Sequence, residues 1–247
     1  HKMGVDVYSS NEELQKELNS VSWAGFAGGV GISLATRAVK GASELAYFSI
    51  AGTRFVNNMN QVLRDNAPED IRRINREKLL EMGVSESVTE KFLQNPNFSP
   101  RHETILVHAL AEMEGVIQRD QFIKQALFAE SELDAFFFQR IAEMLYGYHT
   151  EVGPISEIIP VRRVVVGYTA DQTVIIALPT DYIYWTERAS LGLEAITRLQ
   201  SADRTVKRTE LWVTGRITPK AMKEIENSGV IVNAQIGDKL MSPSTKE

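Results

Sequence analysis

Histidine and carboxylate side chains at helical spacing are the residues of this sequence best suited to acid-base or metal chemistry. His102 and Glu103 match the start of the H-E-x-x-H zinc motif, but the next histidine, His108, lies six positions on. At that spacing the two imidazoles point to different sides of a helix. His108 and Glu112 share a face, yet no third ligand is evident, and a metal ion needs three or four. We therefore predict no metal site and assign the histidines to core positions and helix ends.

Nucleophilic and cofactor chemistry find equally little support. The chain contains no cysteine, which excludes disulfides, thiolate nucleophiles, zinc-cysteine clusters and iron-sulfur sites. Neither a G-x-S-x-G elbow nor a Ser, His, Asp set of known order is present. The acidic residues Glu130, Glu132 and Asp134 fall in the first turn of a predicted helix, where they complement its dipole. We predict no catalytic residue and no cofactor, and favour a protein that is not an enzyme.

Two predicted strand-to-helix junctions form the strongest candidate site. Ligands of open α/β sheets bind outside the carboxyl ends of the strands, where the following helices offer unpaired backbone amides. Thr180 and Asp181 occupy the first junction, and Gly215, Arg216 and Thr218 occupy the second. Glycine allows close approach of a backbone, and arginine binds carboxylate or phosphate with two hydrogen bonds. The alternative is ordinary turn and cap chemistry, which recruits the same residue types.

A glycine-rich stretch near the N-terminus, Ser22 to Gly41, invites comparison with a phosphate-binding loop. Its glycines at positions 25, 28, 29 and 31 have the wrong spacing for G-x-G-x-x-G, and no apolar strand precedes them. No acidic residue follows in a βα unit, and no G-x-x-x-x-G-K-[ST] sequence occurs. We therefore do not expect nucleotide binding at this stretch.

The same stretch begins a long amphipathic pattern. One interpretation of this pattern is a surface that binds a membrane or a partner protein. Residues from Leu18 to Thr36 carry no charge, but they are too polar and too rich in glycine for a span, which takes about 20 strongly apolar residues. An apolar face continues beyond them across charged positions. It must be covered by the protein's own core, by another protein or by a lipid surface. The residues assigned to it are Trp23, Phe26, Leu34, Phe48 and Phe55.

Composition bounds the class of protein. The 247 residues carry a net charge of -5, with 43% hydrophobic and 24% charged residues, an ordinary globular balance. The acidic total and the absence of any run of lysine and arginine argue against nucleic acid as the partner. Absence of cysteine slightly favours a bacterial cell envelope or periplasm over the cytoplasm.

Residues 68–149 show helical periodicity throughout. Apolar side chains recur at helical spacing, and capping residues separate the segments, for example Ser87 with Glu90 and Ser99 before Pro100. Gly83 follows one of the periodic runs. We predict four or five helices in an antiparallel array.

The pattern changes after residue 153. β-Branched runs at Val161 to Tyr168 and Thr173 to Leu178 predict a hairpin, followed by a helix from Tyr182 to Ser201. A strand from Thr209, a helix from Pro219 and a short strand from Val230 complete a small mixed sheet.

The predicted fold class is α+β, with a mainly helical N-terminal region and a small α/β region. We divide the chain into a Gly-rich stretch with an amphipathic helix (1–66), a helical array (67–153), an α/β region (154–238) and a disordered tail (239–247). The favoured function is a non-enzymatic interaction or structural protein that self-associates or binds a protein partner. The alternatives are a small-molecule or anion-binding module, and a peripheral membrane protein.

Overall fold

The computed structural model describes residues 54–161, 164–201 and 206–236, which form an α+β fold. Six helices of this described part precede the sheet: α1 (Arg54–Asp65), α2 (Pro68–Glu81), α3 (Glu86–Leu93), α4 (Pro100–Ala111), α5 (Arg119–Ala126) and α6 (Glu132–Glu151). The predicted helical region followed by a smaller α/β region with a mixed sheet is therefore confirmed.

Local signals explain most helix ends. The Ser99 hydroxyl accepts a hydrogen bond from the backbone N–H of His102 at 3.2 Å, and Pro100 begins α4. Gly83 follows α2 with a φ of 83°, a conformation that glycine adopts without strain. The capping box predicted at Ser87 is wrong, because α3 begins at Glu86 and its N-cap residue is Ser85.

The sheet has five strands in the order β1-β2-β3-β5-β7, and two further short strands pair separately. Strands β1 to β3 form an antiparallel meander, whereas β3, β5 and β7 are parallel neighbours. Helices α7 (Glu187–Ser201) and α8 (Pro219–Asn227) make the crossovers that parallel pairing requires. The strands are β1 (Ile155–Val161), β2 (Val164–Thr169), β3 (Thr173–Leu178), β4 (Tyr182–Ile183), β5 (Arg208–Val213), β6 (Arg216–Ile217) and β7 (Ile231–Asn233).

Two predicted elements differ from the structure. The strand expected from Val161 to Tyr168 begins at Val164, and a separate strand, β1, precedes it. The helix expected from Tyr182 begins only at Glu187, because Tyr182 and Ile183 form β4. Both errors have one cause: β1 and β4 are specified by their pairing partners rather than by local pattern.

Two apolar cores lie on opposite faces of the sheet. In β3, Ile175 and Ala177 face helices α4, α5 and α6, whereas Val174, Ile176 and Leu178 face α7 and α8. We call these the α6 side and the α7/α8 side. The larger core, on the α6 side, contains residues from the helices and from the sheet, so both described regions pack together.

Candidate functional site

The two predicted strand-end junctions pair with each other through their backbones. Strands β4 and β6 lie parallel, and the N–H of Arg216 donates to the Asp181 carbonyl at 2.9 Å. The N–H of Thr218 donates to the Ile183 carbonyl at 2.9 Å, and the Thr214 hydroxyl donates to the Thr180 carbonyl at 3.0 Å. We call this two-stranded unit the β4–β6 ribbon. Because the amides of residues 216 and 218 are bonded within the ribbon, they are not available to an anion.

The close approach of the two junctions explains Gly215. A Cβ atom added at this position would lie 2.1 Å from the Asp181 carbonyl oxygen. Its own carbonyl accepts a hydrogen bond from the N–H of Gln235 at 2.9 Å. The position therefore needs glycine because the two junctions pack closely against each other, and no ligand is required to explain it.

Two threonines near these junctions, Thr186 and Thr218, cap the helices that follow. The hydroxyl of Thr218 accepts a hydrogen bond from the N–H of Ala221 at 3.3 Å and caps α8. The cap of α7 is Thr186, whose hydroxyl accepts a hydrogen bond from the N–H of Ala189 at 3.1 Å. Thr180 and Asp181 thus lie upstream of the helix that we expected them to begin.

The ribbon has one buried and one outward face. Ile183 and Ile217 pair across it and pack against the core of the α7/α8 side. Tyr182 pairs with the exposed Arg216, and its ring stacks on that of Tyr184 with centroids 4.8 Å apart and an interplanar angle of 28°. An arginine and two aromatic rings therefore lie together at this end of the sheet.

A buried ion pair lies on α6, where that helix packs against α4. Arg140 Nη1 is 2.6 Å from Glu143 Oε2, and Gln139 Nε2 donates to Glu143 Oε1 at 2.5 Å. The guanidinium also lies 6.0 Å from the centroid of the Phe136 ring. Burial raises the pKa of Glu143, and the charge of Arg140 opposes that rise. The pair buries two opposite charges, so removing one of them would leave the other buried without this partner.

Helix α4 carries three buried titratable side chains that form no ion pair or side-chain hydrogen bond with another described residue. Burial lowers the pKa of His102 and lowers that of His108 to about 4, so both imidazoles are neutral at pH 7. Among the described residues, His102 Nδ1 and His108 Nε2 are buried and have no hydrogen-bond partner. Burial raises the pKa of Glu103 to about 7, against the charge of Arg72. In the part of the chain that the structure describes, no cluster of three potential metal ligands occurs.

A second polar cluster lies on the α6 side of β5. The Glu210 carboxylate forms an ion pair with Arg208, whose Nε lies 2.9 Å away, and accepts a hydrogen bond from Trp212 Nε1 at 2.9 Å. The Trp212 ring packs edge-on against Tyr148 of α6, with centroids 5.3 Å apart. Burial is the main reason that the pKa of Tyr148 rises to about 12, with Glu210 contributing. The cluster ties β5 to α6 and presents a phenol that stays protonated.

Sequence reasoning missed these two clusters, although each left a signal. Residues 136, 140, 143 and 147 form one stripe of a helix, so Arg140 and Glu143 share the face of Phe136. Arg208, Glu210 and Trp212 alternate along β5, a spacing that places all three on one face of the sheet.

Three large apolar side chains are exposed next to α5 and α6. Ile117 precedes α5 and is 59% exposed, Phe128 follows α5 and is 54% exposed, and Val152 follows α6 and is 40% exposed. We call these residues the exposed apolar set. Helix α5 is about 12 Å long, so one partner can cover both of its ends.

Strand β1, at the edge of the sheet, is closed to strand addition. The N–H of Ile117 donates to the Ser156 carbonyl at 3.0 Å, and the N–H of Ile158 donates to the Ile117 carbonyl at 3.0 Å. Pro160 has no N–H to offer further along the strand. A partner at this edge would therefore meet side chains rather than free backbone groups.

Most of the predicted membrane or partner surface falls elsewhere in the chain. Trp23, Phe26, Leu34 and Phe48 lie outside the described residues, and Phe55 lies in α1 without a described side chain. The predicted tail, 239–247, is also outside. Among the helices that the structure describes, none is long and apolar enough to span a bilayer.

Comparisons of the chain with family models, with curated proteins and with solved structures give no match.

Proposed function

We propose that the protein is a non-enzymatic interaction protein that self-associates through the exposed apolar set, Ile117, Phe128 and Val152. The exposure of these side chains is the observation that supports this function. Exposed large apolar side chains are typical of sites where proteins associate, and two of these three flank α5. Self-association is the simplest form, because most soluble oligomers are made of identical subunits.

The other candidate groups are buried or bonded to one another, which favours a protein-interaction function over catalysis on a small molecule. Arg140 and Glu143 are engaged with each other, and the imidazoles of His102 and His108 are buried and neutral. At the strand ends the backbone groups bond across the β4–β6 ribbon. Catalytic groups need access to a substrate, and none of these buried groups is at the surface.

Because backbone groups at the outer edge of β1 are already bonded or lack an N–H, a partner at this edge would make contact through side chains. Ile117 occupies part of the edge and Pro160 removes a donor from the rest. We therefore expect association to depend on the apolar side chains of Ile117 and Val152 and not on backbone hydrogen bonds to β1.

Light scattering of the whole chain at several concentrations tests this proposal. We expect an average mass that rises with concentration, and a lower mass for Ile117→Lys and Val152→Lys. Leu191→Lys is the matched control, because Leu191 is 48% exposed but lies on α7, on the other side of the sheet. A strictly monomeric parent, or an equal effect of Leu191→Lys, would contradict the proposal.

The membrane-surface alternative rests on Trp23, Phe26, Leu34, Phe48 and Phe55 and stays a prediction, as does the bacterial cell envelope. Co-sedimentation of the whole chain with anionic vesicles tests it. Binding that is lost in a Trp23→Ala, Phe26→Ala double variant would support a membrane role, whereas a parent that stays in the supernatant would end it.

A further inference from the structure

The outward face of the β4–β6 ribbon combines two aromatic rings with a cation. Tyr182 and Arg216 are register partners in parallel strands, so both side chains leave the ribbon on the same face. The opposite face is occupied, because Ile183 and Ile217 pack into the core. Tyr184, two residues after Tyr182, adds its stacked ring to the outward side.

The rings form an ordered aromatic surface. Their centroids are 4.8 Å apart at an interplanar angle of 28°, and both tyrosines are half-buried. Trp185, the next residue, packs against the core beneath and holds the segment in place. Aromatic rings fixed in this way offer stacking to another planar ring at little cost in conformational entropy.

Arg216 supplies a positive charge at this face, although the chain as a whole carries -5. Its side chain is exposed, and no acidic side chain of the described residues forms an ion pair with it. The guanidinium can therefore bind an anion.

We propose that Tyr182, Tyr184 and Arg216 bind a small anion with a planar base, of the nucleoside monophosphate class. The base would stack on the tyrosine rings, and the phosphate would accept two hydrogen bonds from the Arg216 guanidinium. Arginine suits this task because its planar fork matches the geometry of phosphate.

The size of the face selects a small ligand over a macromolecule. Strands β4 and β6 have two residues each, so the ribbon is about 7 Å long. That length matches one ring and its substituent, whereas a stable protein interface buries about 800 Å² on each partner. The site also lies on the α7/α8 side, apart from the exposed apolar set, so it is independent of self-association.

Calorimetric titration of the whole protein with adenosine 5′-monophosphate, adenosine and ribose 5-phosphate tests the proposal. We expect the monophosphate to bind at least about tenfold more tightly than either part alone. Arg216→Gln is expected to weaken monophosphate binding about tenfold and leave adenosine binding unchanged. Tyr182→Ala is expected to weaken both. Arg198→Gln, a change of an equally charged exposed residue on α7, is the control and is expected to change neither.

Two outcomes would overturn the proposal. One is a parent that gives no heat with adenosine 5′-monophosphate at millimolar concentration, or an Arg216→Gln variant that binds it unchanged. The other is a change in molecular mass by light scattering in Arg216→Gln, which would make this face a protein interface. If Tyr182→Ala fails to fold, Arg216→Gln decides alone, because the Arg216 side chain is exposed.

Discussion

The two faces of the sheet differ in what they bury. On the α6 side the protein buries charges: Arg140 and Glu143 between helices, and Glu210 beneath Tyr148 and Trp212. On the α7/α8 side the core is aliphatic, and the buried polar residues include threonines such as Thr209 and, on the edge strand β1, Glu157, which pairs in register with Tyr168. Apolar burial and threonine caps such as Thr218 stabilise this face, whereas the α6 side also depends on a buried ion pair.

The surfaces of the two sides also differ. The α6 side exposes Ile117, Phe128 and Val152, whereas the α7/α8 side carries the Tyr182 and Arg216 face and exposes Leu191. Exposed apolar side chains flank α5 at both ends, and this is the reason that we propose the α6 side as the side that associates.

Breaking the buried ion pair should give the largest effect. Arg140→Met leaves Glu143 buried without its cation, and we expect a loss of about 4 kcal/mol in the free energy of unfolding. Urea denaturation measures it. The double variant Arg140→Met, Glu143→Met should recover much of the loss, because neither charge remains. A double variant as unstable as the single one would contradict the pairing account.

Truncation on the aliphatic face should cost slightly less and should not depend on pH. Ile176 is buried in the core between the sheet and the helices α7 and α8. We expect Ile176→Ala to lower the free energy of unfolding by about 3 kcal/mol, the cost of a buried cavity. The same loss at pH 5 and pH 8 in urea denaturation would confirm that no titrating group is coupled to this core.

On the helical side the structure predicts two opposing dependences on pH. The pKa of Glu103 rises from 4.5 to about 7 on folding, so its contribution lowers stability as pH rises through that range. The pKa of His108 falls from 6.5 to about 4, so its contribution lowers stability as pH falls through that range. The two slopes have opposite sign.

Single substitutions should reveal each slope. In Glu103→Gln, stability should rise by about 2 kcal/mol between pH 4 and 6.5, because the histidine slope remains. In His108→Gln, stability should fall by about 2 kcal/mol between pH 4.5 and 7. Urea denaturation across this range measures both. Parallel pH profiles in the two variants would contradict the assignment of opposite signs.

The β4–β6 ribbon offers a local test on the α7/α8 side. Gly215→Ala places a Cβ against the backbone of Asp181, which must shift, and should lower the free energy of unfolding by at least about 2 kcal/mol. Gly153→Ala is the matched control, because nothing lies within 4 Å of the added atom and it should be nearly neutral. Equal effects in thermal or urea denaturation would mean that the backbones are not so close.

The aliphatic face could be predicted from the sequence, because its residues follow local patterns. The β-branched runs of β2 and β3 and the cap at Ser99 each act within a few residues. Strand β1 was missed because Glu157 and Pro160 interrupt its alternation, and β4 was missed because only its pairing with β6 makes it a strand.

The buried polar groups of the α6 side could not be predicted from the sequence, because their burial depends on distant elements. Arg140 and Glu143 are typical of a solvated helix face until α4 is known to pack against them. Glu210 likewise alternates like an outward strand residue until Trp212 and Tyr148 cover it. At the candidate site, Arg216 was predicted from the sequence, but its pairing with Tyr182 across the β4–β6 ribbon depends on the tertiary fold.

Hydrogen exchange of the whole chain at a low and a high protein concentration tests the central claim most directly. If the protein self-associates through the exposed apolar set, backbone amides in 117–128 and 152–158 exchange more slowly at high concentration, and amides of α7 do not change. Slower exchange confined to α7, or no difference between the two concentrations, would contradict self-association through this surface.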